Sequence, residues 1–82
     1  MNKEEIIEKT ISILADEFEV DEDVIQPNSI LKDTLGLDSL DYVDLVVTIE
    51  TSFGVKLVEA DFAGVSTFQD FYDLIALKLK MK

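Results

Sequence analysis

The sequence predicts an all-α fold: a small four-helix bundle with three longer helices, one short helix and a long first loop. Three observations carry that expectation. Apolar residues recur at helical spacing in three separate stretches, residues 3–17, 39–53 and 67–80. Each stretch follows a residue suited to capping, namely Asn2, Asp38 and Ser66. The one extended-looking segment, Val55-Lys56-Leu57-Val58, has no partner strand elsewhere and reads as loop. A chain of 82 residues is expected to form one domain over residues 1–82. Such a domain buries about 60% of its unfolded surface, enough for a few helices but not for a deep catalytic cleft.

The first helix starts at Asn2, with Glu5 in the capping-box position. Ile7, Ile11, Leu14 and Phe18 form its apolar stripe, while Glu4, Glu5, Glu8 and Lys9 face water. A helix that seeks a membrane carries a basic polar face; this one is acidic and reads as structural. Residues 19–38 form a long connection, with a short helical turn at Asp21-Glu22-Asp23-Val24-Ile25 and a break at Pro27-Asn28-Ser29. A loop of that length is normally functional or self-packed. Val20, Val24, Ile25, Ile30, Leu31 and Leu35 predict that it is pinned to the core. An EF-hand counted from Asp21 would need Gly at its sixth position and Glu at its twelfth; Gln26 and Lys32 stand there instead.

The central helix, residues 39–53, organises the chain. Gly36 can end the preceding loop in a left-handed conformation. Asp38 is the N-cap, Asp41 and Asp44 put negative charge near the positive end of the helix dipole, and Gly54 is the stop. Tyr42, Leu45, Val46, Ile49 and Phe53 share one stripe, which a small domain would bury. Leu40, Val43 and Val47 form a second stripe on roughly the opposite side, flanked by Asp41, Asp44 and Glu50. Either another segment covers those three residues, or they are an exposed docking surface ringed by acid. Ser39, in the first turn, is either a second capping residue or an anchor for a phosphate ester, which a helix N-terminus favours.

Beyond it, Glu59-Ala60-Asp61-Phe62-Ala63 reads as one short helical turn ended by Gly64, with Phe62 pointing inward. The last helix spans 67–80, with Ser66 and Gln69 in capping-box positions and Phe68, Phe71, Tyr72, Ile75 and Leu79 on one stripe. Lys78, Lys80 and Lys82 gather at its C-terminal end, where cations suit the dipole.

Composition narrows the function further. The net charge is −11, which argues against nucleic acid and anionic membranes as partners and for proteins with basic faces. No apolar run approaches a membrane span, and the Asn-Lys-Glu-Glu start is not that of a signal peptide, so no membrane insertion is expected. The chain has no Cys, which excludes disulfides and thiolate metal sites and fits a cytoplasmic location. It also has no His and no Arg. Triads based on His, a thiolate nucleophile and an arginine clamp are therefore excluded. Carboxylate pairs such as Asp38 with Asp41 read as solvated charge rather than an acid–base dyad. No catalytic residue and no metal site is expected.

The stretch Leu35-Gly36-Leu37-Asp38-Ser39-Leu40-Asp41, followed by Val43, Asp44, Leu45 and Val46, resembles the acyl carrier protein family, and the resemblance runs over essentially the whole chain. It implies a non-catalytic carrier, with 4′-phosphopantetheine attached through Ser39 and Asp38 engaged by the phosphopantetheinyl transferase. Leu40, Asp41, Val43, Asp44, Val47 and Glu50 match the side of the family's second helix that meets basic patches on synthases, reductases and acyltransferases. Leu45, Val46, Ile49, Phe53, Leu57, Phe62, Phe68 and Ile75 are the candidates for a core that shelters the acyl chain. A monomer serving fatty-acid, polyketide or related lipid biosynthesis is expected. The alternatives are an aminoacyl or D-alanyl carrier of the same fold, or an unmodified acidic interaction domain. Several positions depart from the commonest family pattern: the extra Thr34, Lys32 in place of an acid, the bulky Tyr42 and the aromatic pair Phe71-Tyr72. They point to a specialised carrier.

Overall fold

The computed structural model describes residues 2–81, and Lys82 lies outside them. In chain order the elements are α1 (Lys3–Glu17), a 3-10 turn (Glu22–Val24), α2 (Leu31–Leu35), α3 (Ser39–Phe53), a second 3-10 turn (Glu59–Gly64) and α4 (Phe68–Met81). The fold is all-α, with three long helices, as the apolar spacing predicts. Two differences stand out. The short helix at 59–64 is wound as a 3-10 helix, and the first loop holds a further short helix, α2, that its sequence does not announce. Gly36 ends α2 at φ 64° and Gly54 ends α3 at φ 69°, the left-handed conformation that glycine adopts without steric cost.

The core is built from Ile6 and Leu14 of α1, Leu45, Ile49 and Phe53 of α3, and Phe68, Phe71, Tyr72 and Ile75 of α4. The buried face of α1 differs from the expected stripe. Ile6, Thr10 and Leu14 are fully buried, whereas Ile7, Ile11 and Phe18 are only partly so. Thr10 hides this register in the sequence. Its hydroxyl donates to the Ile6 carbonyl at 2.7 Å, so a polar side chain can be buried without an orphaned group. Of the loop residues expected to pin the core, Ile25, Leu31 and Leu35 do so and Val20 is half-buried. Val24 and Ile30 remain exposed, because the loop turns them outward.

Backbone hydrogen bonds hold the loop as well. The N–H groups of Phe68 and Gln69, which open α4, donate to the carbonyls of Ser29 and Pro27, and Leu31 N–H donates to the Ser66 carbonyl. Free donors of one helix start are thus satisfied by a segment about forty residues earlier. The capping box of α4 falls one residue later than Ser66 and Gln69 suggest. Thr67 Oγ1 accepts from Asp70 N–H at 3.2 Å, and the Asp70 carboxylate accepts from Ser66 N–H at 3.1 Å and Thr67 N–H at 3.2 Å. Those two backbone donors hold the Asp70 carboxyl below its ordinary value of 3.8. A depressed carboxyl contributes stability that is full above the unfolded value and is lost as pH falls from there through the lower folded value. The stability difference between the native chain and Asp70→Asn is therefore expected to be full at neutral pH. It should shrink as pH drops below about 4, as followed by urea melts across pH.

Two lysines tie the helices together. Lys3 pairs with Asp73, joining α1 to α4. Lys9 donates to the Ser52 carbonyl at 2.8 Å and lies 5.0 Å from the Phe53 ring centroid, so one α1 cation satisfies the last turn of α3. One core group is unsatisfied. The Tyr72 hydroxyl is buried with no hydrogen-bond partner among the described residues, and its burial pushes the phenol up to about 12. Leaving a buried hydroxyl unpaired costs about 1–3 kcal/mol. Tyr72→Phe is expected to stabilise the fold by about 1 kcal/mol, read from a raised midpoint in denaturant at unchanged slope.

Candidate functional site

The site begins with the peptide groups that open α3. Asp38 is extended (φ −113°, ψ −172°), and one oxygen of its carboxylate accepts from Leu40 N–H and Asp41 N–H, both at 3.0 Å. Asp41 returns the contact by accepting from Asp38 N–H at 3.1 Å. This reciprocal box needs nothing from Ser39. The Ser39 side chain is exposed, and its hydroxyl makes no hydrogen bond among the described residues. Of the two roles open to it from sequence, the cap is already taken by its neighbour. Asp38→Ala should remove both bonds and the box, costing about 1–2 kcal/mol of stability, whereas Asp38→Asn should cost a few tenths; thermal melts of the two separate them.

Ser39 stands on the rim of a groove. The other lining residues are Tyr42, Val43, Val46 and Val47 from α3, Leu57 from the following loop, and Glu59, Ala60, Phe62 and Ala63 from the second 3-10 turn. The turn is fastened from both sides. Glu50 of α3 accepts from Leu57 N–H at 3.0 Å. Asp61 accepts from Val58 N–H at 2.9 Å and pairs with Lys78 of α4 at 3.2 Å. The Val58 N–H and the Lys78 ammonium together hold the Asp61 carboxyl below its ordinary value.

On the outer face of α3, Leu40, Val43 and Val47 are 79%, 62% and 54% exposed. Val43 and Val47 share the groove with the second 3-10 turn yet stay more than half exposed, and Leu40 lies outside it. Asp44 is exposed beside them and Asp41 is half-buried in the capping box. Glu50 differs from the others, since its carboxylate is engaged by the loop. The structure adds an acid that the sequence does not assign to this face. Glu17, at the end of α1, meets Asp44, and a hydrogen bond and charge repulsion between the two raise the Glu17 carboxyl above its usual range. The two lie far apart in sequence, so only the packing of α1 on α3 brings them together.

The residues expected to shelter an acyl chain divide into two groups. Val46, Leu57 and Phe62 line the groove. Leu45, Ile49, Phe53, Phe68 and Ile75 are buried in the core behind it. Phe62 bridges the groups: its ring lies 5.5 Å from Tyr42, edge to face, and 6.0 Å from the buried Phe71, stacked. Sequence reasoning places Phe71 only as core packing, and no local signal links it to the groove.

A phosphoester fits this position. The chain supplies an unengaged, solvent-facing hydroxyl at a helix N-terminus, where the dipole favours an anion even though Asp38 already takes the Leu40 and Asp41 N–H groups. Beside it runs an apolar groove in which an arm and its cargo could lie.

Comparisons with known proteins show the family. The family model for the phosphopantetheine attachment site matches residues 8–75. An acyl carrier protein of Thermotoga maritima is 44% identical over 78 residues, covering 95% of this chain and 96% of that protein. An acyl carrier protein of Thermosynechococcus vestitus is 37% identical over 79 residues, covering 96% and 98%. One from Petrotoga mobilis is 33% identical over 81 residues, covering 99% and 95%. Family model and relatives both cover the whole of α3 and the second 3-10 turn, which line the groove, and the chain belongs to the acyl carrier protein family, whose cofactor is phosphopantetheine.

Proposed function

We propose that this chain is a non-catalytic carrier that bears 4′-phosphopantetheine on Ser39 and presents acyl intermediates to the enzymes of fatty-acid, polyketide or related lipid biosynthesis. The observation that carries the reading is the free Ser39 hydroxyl on the groove rim, beside a cap that Asp38 and Asp41 complete without it. When bound, the arm supplies the thiol that holds the acyl group as a thioester, which a chain without Cys cannot supply itself. The protein positions and displays. Asp38 and Asp41 fix the first turn so that the Ser39 hydroxyl faces solvent. Leu40, Val43 and Val47 offer a small apolar patch that a partner can desolvate, and Asp41, Asp44 and the nearby Glu17 surround it with negative charge. The phosphopantetheinyl transferase and the synthases, reductases and acyltransferases that follow are therefore expected to carry basic faces. Glu50 supports this surface from below, by holding Leu57, more than by direct contact.

Intact-mass measurement tests the proposal. Incubation with a phosphopantetheinyl transferase and coenzyme A should add one phosphopantetheine to the chain. An unchanged mass, with a transferase that modifies a control carrier in the same tube, overturns it. Offering the holo form to an acyl-CoA transferase and to an adenylating ligase then separates an acyl carrier from an aminoacyl or D-alanyl carrier.

A further inference from the structure

We propose that the rings of Tyr42, Phe62 and Phe71 form a floor that closes the groove at Ser39 off from the helical core, so that this carrier holds short acyl groups in the groove and does not draw long saturated chains inside. The inference rests on the carrier reading above. Tyr42 and Phe62 line the groove, one from each wall, and their edge-to-face contact spans the gap between α3 and the second 3-10 turn. Phe71 lies directly behind, fully buried and stacked on Phe62. A chain entering from Ser39 toward Leu45, Ile49 or Ile75 must displace at least one ring of this stack.

Displacement is opposed from both ends of the turn. Phe62 sits in a segment held to α3 by the Glu50 bond to Leu57 N–H and to α4 by the Asp61–Lys78 pair. Phe71 is fully buried in the core cluster with Phe68, Tyr72 and Ile75, and its withdrawal would leave a void. In front of the rings, by contrast, the groove is lined by the small or branched side chains Val43, Val46, Val47, Ala60 and Ala63 and is open to solvent along one side, so a chain lying in it is covered on one side only. Part of a longer tail would therefore remain in water.

The test compares butyryl and decanoyl forms, made directly by a transferase from the corresponding acyl-CoA, for the native chain, Phe62→Ala and Tyr42→Thr. Hydroxylamine cleavage of the thioester reads shelter, and far-UV circular dichroism checks that each variant is folded. Native chain is expected to show equal cleavage of butyryl and decanoyl forms within about twofold, while a folded variant cleaves the decanoyl form about tenfold more slowly because the opened floor admits its tail. In ¹³C-filtered spectra, decanoyl contacts to Phe71 and Ile75 should appear only in the variants. Protection of the decanoyl form in the native chain overturns the proposal, as does a folded variant pair without protection. Failure to gain mass from any acyl-CoA strikes the carrier reading itself and is seen before chain lengths are compared.

Discussion

Ser39→Ala is expected to abolish phosphopantetheine addition completely while leaving the fold as stable as the native chain. The two halves of this outcome have separate causes. The Ser39 hydroxyl is exposed and makes no hydrogen bond among the described residues, so its removal breaks nothing. Alanine at the first position of a helix is at least as favourable as serine by intrinsic propensity. The cap stays intact because Asp38 and Asp41 form it alone. Unfolding free energies of Ser39→Ala and the native chain should agree within about 0.5 kcal/mol, the usual range for a surface substitution. Intact mass after transferase and coenzyme A should stay at that of the bare chain. A large loss of stability would mean that Ser39 is a structural residue, and a normal mass gain would move the attachment point elsewhere.

Phe71→Ala is expected to have the largest effect on stability, a loss of about 3–5 kcal/mol. The side chain is fully buried, stacks on Phe62 at 6.0 Å and packs in the same cluster as Phe68, Tyr72 and Ile75. Truncation forfeits its transfer free energy and leaves a cavity that the fixed turn at 59–64 cannot collapse to fill. A domain of this size has only about 4–12 kcal/mol in total, so the variant should melt tens of degrees lower or fail to fold at physiological temperature. Urea unfolding followed by circular dichroism measures it. A loss under about 1 kcal/mol would show that Phe71 is loosely packed, and the ring floor beneath the groove would lose its rigid backing.

The groove-side features divide cleanly by how far apart in the chain their causes lie. Asp38, Asp41 and Gly54 mark the ends of α3 through hydrogen bonds and backbone angles within one turn, and these are legible without any fold. The exposure of Leu40, Val43 and Val47 was half legible. Helical spacing puts them on one face, and the flanking acids make burial costly, but only the packed structure leaves that face uncovered. The register of α1 is hidden in the sequence because Thr10 is polar by type, and only its bond to the Ile6 carbonyl lets it be buried. Helix α2 escaped because it is five residues long, lacks a side-chain cap, and is held by backbone bonds to the start of α4. Short helices have little propensity of their own and form where tertiary contacts favour them.

Taken alone, the amino-acid order determined where α1 and α3 begin and end and where α4 lies to within a residue, which faces of α3 and α4 are apolar, that the chain is acidic, and which hydroxyl stands at a helix mouth. These follow from interactions between residues no more than about four positions apart, and a sequence displays such distances directly. Only the tertiary structure decided that Glu50 clasps Leu57, that Asp61 pairs with Lys78, that Glu17 faces Asp44, and that Tyr42, Phe62 and Phe71 stack beneath Ser39. Each of those contacts joins segments separated by a turn or an entire helix. Their partners are chosen by how three amphipathic rods fill one small volume, and that choice is made by close packing of all the side chains at once.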